Sequence, residues 1–154
     1  MFNTRAFILL ILCLSLAAAG CSNTATATLS PGADLSAVKT FYVVHQPKDT
    51  HNLHFLIRDR IVKEGLTARA GPESEKTASP VNAVVTYVDR WIWDITLYLL
   101  ELTVTFRDAT NDFPLAVGQS YHTSLTRLSP EEMVEEVLTN IFNAAKQTAK
   151  PGTP

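Results

Sequence analysis

Cysteine is nearly absent from this chain of 154 residues: there are two, Cys13 and Cys21. Cys13 lies inside an N-terminal apolar run, so removal of that run leaves one thiol and no possible disulfide. A domain built from the remainder must be held by its core alone. Clustered positive charge is missing as well. Thirteen Lys and Arg stand against 15 Asp and Glu, and the cations are scattered one by one, which excludes nucleic acid as a partner because phosphate binding needs grouped cations. No internal repeat is visible, and no G-x-S-x-G, P-loop or H-E-x-x-H motif occurs. The chain therefore reads as non-catalytic, with no cofactor and no resident metal.

The longest apolar run, Ala6 to Ala19, is broken only by Ser15. As a helix it would reach about 21 Å, short of the roughly 30 Å hydrocarbon core of a bilayer. Arg5 precedes it and Ala17-Ala18-Ala19-Gly20 closes it, the arrangement of a secretory signal. Small residues directly before Cys21 resemble a bacterial lipobox, although Ala18 replaces the Leu usual at that place. The resemblance implies that Cys21 carries a diacylglycerol and that residues 1–20 are removed. The competing reading is an ordinary signal cut after Ala-x-Ala, leaving Cys21 free. The mature chain would hold 12 Lys and Arg against 15 Asp and Glu, a formal charge of −3. Ser22, rather than Asp, after the lipidated Cys implies the outer membrane, facing the periplasm.

Residues 21–33 are small and polar, suiting a flexible tether behind the lipid; an edge strand is the alternative, since Thr favours strands. A single domain is expected over 34–148, followed by a disordered tail over 149–154. Val38 to His45 reads as a buried strand. Asp49 or Thr50 caps a helix whose stripe is Leu53, Ile57 and Ile61, and Gly65 ends it. Leu66 to Arg69, Val81 to Val88, Ile95 to Arg107 and Leu115 to Tyr121 read as strands. In the third of these the apolar parity flips between Leu99 and Leu100, as a β-bulge would cause. Ser129-Pro130-Glu131-Glu132 is a capping box opening a helix with Met133, Val137 and Ile141 on one stripe. The order β-α-β-β-β-β-α predicts an α+β fold: a largely antiparallel sheet of four to five strands with both helices mainly on one face.

Two groups of residues invite a functional reading. Trp91 and Trp93 project from one face of an extended chain, flanked by Asp89 and Asp94. Paired tryptophans either bind a partner or cover the end of the domain's own core, with Asp94 capping the turn. Trp91, Trp93 and Asp94 are the candidate binding residues. His51 and His54 sit three apart at a helix start, and His45, Asp49 or Asp59 would have to complete any metal set. Two solvated histidines is the preferred reading, and His122 reads as a lone histidine. Glu131, Glu132, Glu135 and Glu136 form a solvated acidic helix start.

Cys21 with its tether, the strand-helix-Gly opening from Val38 to Gly65, and the string Tyr87-x-Asp89-x-Trp91-x-Trp93-Asp94 resemble small domains of bacterial envelope lipoproteins. These include the auxiliary lipoproteins of secretion and transport systems, the amino-terminal domain of TolB, and uncharacterised lipoproteins with the Trp-x-Trp-Asp string. The resemblance implies a lipid-anchored scaffold or assembly module in the cell envelope, with an envelope protein as partner, membrane contact through the lipid, and homo-oligomers allowed. A periplasmic carrier of a small ligand or metal is the alternative.

Overall fold

The computed structural model describes residues 23–148 except Thr77 and Ser79. The expected signal peptide, the lipidated Cys21 and the tail over 149–154 lie outside the described residues. The elements run β1 (Thr24–Leu29), β2 (Thr40–His45), α1 (Leu53–Lys63), β3 (Thr67–Pro72), β4 (Ala83–Asp94), β5 (Thr96–Asp108), β6 (Pro114–Tyr121) and α2 (Pro130–Thr148). No helix among the described residues is long and apolar enough to cross a membrane.

The fold is α+β. Its six strands form one sheet in the order β1-β6-β5-β4-β2-β3. The expected four to five largely antiparallel strands become six mixed ones, because β2 pairs in parallel with both β3 and β4. The chain leaves β2, crosses through α1 and returns as β3 beside it, a connection that only parallel pairing permits. The remaining pairs are antiparallel.

The proposed tether is corrected over six of its thirteen residues, in favour of the alternative reading. Thr24 to Leu29 pair with β6 from Tyr121 back to Ala116, so this segment is an edge strand. Its alternating Thr and Ala supply little apolar area, but Ala27 and Leu29 still pack on the core. Each backbone bond to β6 satisfies a donor that would otherwise be left at an open sheet edge.

Both helices cover one face of the sheet. One continuous core joins Leu53, Ile57 and Ile61 of α1 to Met133, Val137 and Ile141 of α2 across Phe41, Val43, Val85, Tyr87, Val104 and Phe106. Each such side chain, fully withdrawn from water, contributes about 1.5–3 kcal/mol. The helix ends follow local chemistry. Gly65 stands at φ +86 just past α1, the left-handed conformation that glycine adopts without strain. At the start of α2 the Ser129 N–H donates to Glu132 Oε2 (2.8 Å), and the Glu132 N–H donates to Ser129 Oγ (3.2 Å).

The bulge falls where the parity flip placed it. Arg90 pairs with Glu101 and Trp91 with Leu99, leaving Leu100 as the extra residue in β5. Leu97 and Leu99 are thereby returned to the side occupied by Leu102, Val104 and Phe106.

Gly118 is the point of closest approach between α2 and β6. A Cβ there would meet Ile141 Cγ1 at 2.8 Å and Val137 Cγ1 at 2.9 Å. Gly118→Ala should therefore lower unfolding free energy by about 1–3 kcal/mol through overpacking, read from denaturant melts.

Candidate functional site

Beyond Trp91 the β4–β5 ribbon ends in an exposed apolar tip, whose β5 side is held near the start of α2 by a bond from Arg127 Nη1 to Thr96 Oγ1 (2.6 Å). Trp93 pairs with Leu97 and Asp94 with Thr96, with Ile95 at the apex. Ile95 is 86% exposed, Trp93 75% and Leu97 46%, with Ile92 beside them at 37%. Ile95 also adopts φ 60. A β-branched side chain in the left-handed region clashes with its own backbone, so this conformation is strained where Gly or Asn would sit freely. The apex is both strained and apolar, contrary to the usual turn chemistry.

The two tryptophans have different surroundings. Trp91 is half-buried and packs on the core. Its Nε1–H donates to Asp89 Oδ2 (2.7 Å), and its ring stacks on His51 with centroids 3.7 Å apart at 19°. Trp93 has no such support and faces outward. Asp94 is exposed beside it and, among the described residues, its side chain has no hydrogen bond that would cap the turn. Of the three candidate binding residues, Trp93 and Asp94 belong to the exposed arm, whereas Trp91 covers the domain's own core.

A second group forms where β2 ends and α1 begins. Asn52 starts the helix at φ 60, and the buried Asp49 carboxylate caps it: Oδ1 accepts from the His51 N–H (2.8 Å) and Oδ2 from the His54 N–H (3.4 Å). Oδ2 also accepts the Tyr87 hydroxyl (2.7 Å) and faces His54 Nδ1 (3.1 Å). Burial opposes the charge on Asp49, but the bonds from Tyr87, His54 and the two backbone N–H groups outweigh it and hold the carboxyl below its ordinary range. Burial and the adjacent carboxylate push the Tyr87 hydroxyl up, so it stays a neutral donor. The expectation of two solvated histidines is corrected for His54, which is buried, while His51 is exposed but stacked. Sequence reasoning missed Tyr87, which lies 38 residues from Asp49 and carries no local signal of the contact.

His122 is not a lone histidine either. It is buried, with Nε2 2.8 Å from Glu136 Oε2 and Nδ1 3.1 Å from the Thr126 carbonyl. The Ser120 hydroxyl donates to the same Glu136 oxygen (2.6 Å). The serine thus faces the carboxylate rather than the imidazole, an arrangement that ties β6 to α2. Glu136 is accordingly half-buried rather than part of a solvated acidic face, and Glu135 pairs with Arg60 of α1 at 2.8 Å.

No family model matches this chain, and no curated protein matches it. Solved structures do share the fold. A PelC dodecamer from Paraburkholderia phytofirmans aligns with TM-score 0.58 at 14% identity, over 78% of this chain and 98% of that one. A methionine-substituted PelC dodecamer from the same organism gives 0.55 at 16%, over 77% and 97%. A PDZ domain protein from Parabacteroides distasonis gives 0.51 at 10%, over 86% of this chain and 37% of that one.

The Tyr87–Asp49 bond is the feature of the second group most open to test. Tyr87→Phe removes a donor from a buried carboxylate and should cost about 1.5–3 kcal/mol of stability, measured by denaturant melts against wild type.

Proposed function

We propose that this chain is a lipid-anchored lipoprotein of the bacterial outer membrane, facing the periplasm and acting as a non-catalytic interaction module. Its contact surface is the β4–β5 arm. The observation that carries this reading is the strained, exposed apex at Ile95 with Trp93 and Leu97 beside it. Isolated exposed apolar residues are ordinary on protein surfaces, but a contiguous patch on a projecting ribbon signals an interface.

The position of the chain start supports the reading. Thr24 lies opposite Tyr121, and Tyr121 lies opposite Glu101, at the end of the sheet from which the arm projects. A lipid on Cys21 would emerge there, placing the arm on the membrane-proximal side. Asp94 at the apex argues for a protein rather than hydrocarbon as occupant, since a carboxylate is costly inside a bilayer and readily paired by a protein donor. A second copy of this chain is one such partner: the PelC neighbours that share the fold are dodecamers.

Two outcomes test the anchor and the arm separately. Cys21→Ala should abolish lipid attachment and move the protein out of the membrane fraction; unchanged mass and partitioning would contradict the anchor. Ile95→Asn should raise stability by about 1 kcal/mol by relieving the left-handed β-branched residue. The same change should weaken self-association or partner capture, followed by sedimentation and by pull-down from membranes. Trp93→Ala should leave the melting temperature within a few degrees of wild type and also weaken capture. Trp91→Ala should lower stability by about 3–5 kcal/mol, or somewhat less for a half-buried ring. Equal stability losses for both tryptophans would contradict the division of roles.

A further inference from the structure

We propose that His45, Asp49 and His54 form a binding site for a divalent first-row transition-metal ion. One ligand atom from each residue falls within 4.8 Å of the others. The set is two imidazoles and one carboxylate, which favours zinc or its neighbours over magnesium and calcium, whose sites are built from oxygen.

The geometry is close to what such an ion needs. His54 Nδ1 and Asp49 Oδ2 are 3.1 Å apart. Ligands bonded at 2.0–2.1 Å in a tetrahedron lie about 3.3 Å from one another. An ion would therefore take the place of the hydrogen bond between this pair, with His54 binding as the neutral tautomer that carries its proton on Nε2. His45 is the least tightly bonded member. Its ring lies 4.2 Å from that of His54, centroid to centroid, and its Nε2 has only a long 3.5 Å contact with the Asp49 carbonyl. A small rotation of this half-buried ring completes the triad without loss of a strong bond.

The surroundings fit a metal centre on one further count. The Tyr87 hydroxyl donates to the Asp49 carboxylate at 2.7 Å, the outer bond that orients a ligating carboxylate. The three ligands come from the end of β2, the following loop and the first turn of α1. A bound ion would pin that loop, next to the His51 ring that stacks on Trp91. This inference stands apart from the proposed role of the arm; either holds if the other fails.

The test is zinc titration of the full chain in detergent, competed against a chromophoric chelator, with cobalt absorption as a second readout. One ion per chain is expected. His45→Ala and His54→Ala should each weaken binding about tenfold or more, and so should Tyr87→Phe as a positioning residue. His51→Ala should keep wild-type affinity. His45→Gln serves in place of His45→Ala if the latter fails to fold, as judged by its melt without metal. Zinc should also raise the melting temperature of wild type but not of the His45 variant. No binding, or binding that survives loss of His45 in a folded variant, would overturn the proposal.

Discussion

A strand has two faces, and a run of apolar residues that changes parity halfway must expose one half or insert a residue. β5 takes the second course at Leu100. The extra residue lets Leu99 and Leu97 follow Leu102, Val104 and Phe106 onto the helix side, so the longest ribbon of the sheet keeps one continuous apolar face. That face is longer than the two helices can cover. Tyr87 and Leu99 are fully covered, Trp91 is half-covered, and Trp93, Ile95 and Leu97 are left in solvent. The exposed arm is thus a continuation of the core rather than a separate decoration. The energy that would follow from burying it is available only to another molecule.

The rest of the molecule is arranged to hold that ribbon rigidly at its base. α2 is pressed onto β6 over Gly118, and α1 is fixed to β4 through Asp49 and Tyr87. Arg60 ties the two helices through Glu135, with Glu64 completing the group by a bond from Lys146. The partly buried Arg60 guanidinium lies between two carboxylates, with Nη1 3.0 Å from Glu64 and Nε 2.8 Å from Glu135, the second an ion pair whose alignment leaves Nε without a hydrogen bond. A rigid base matters because a flexible arm would give up conformational entropy on binding that a fixed one does not.

Much of this was legible in the residues, and the rest was not, for physical reasons. Helix ends are written locally: Gly65 and the Ser129–Glu132 box act within one turn, and both appear in the structure as read. The bulge at Leu100 was legible because parity is a local property of one strand. β1 was legible only as the alternative to a tether, because Thr-Ala repeats carry no apolar stripe; that strand exists through backbone bonds to β6, about ninety residues away in sequence. Parallel pairing of β2 was hidden because pattern does not reveal strand direction. At the site, the spacing of Trp91 and Trp93 suggested a shared face but not where the helices would stop. Asp49 was legible as a helix cap, but its bond from Tyr87, 38 residues away, was out of reach because it forms only once the sheet has formed.

The claim on which the account turns is that the β4–β5 arm contacts a protein in the envelope. Photo-crosslinking from position 93 tests it most directly. A benzophenone side chain replaces Trp93 in cells, and the same probe at Val62, an exposed residue on α1, serves as control. The account predicts a discrete protein adduct, either a partner or a second copy of this chain, from position 93 and none from position 62. Adducts to lipid alone, or the same protein adducts from both positions, would contradict it.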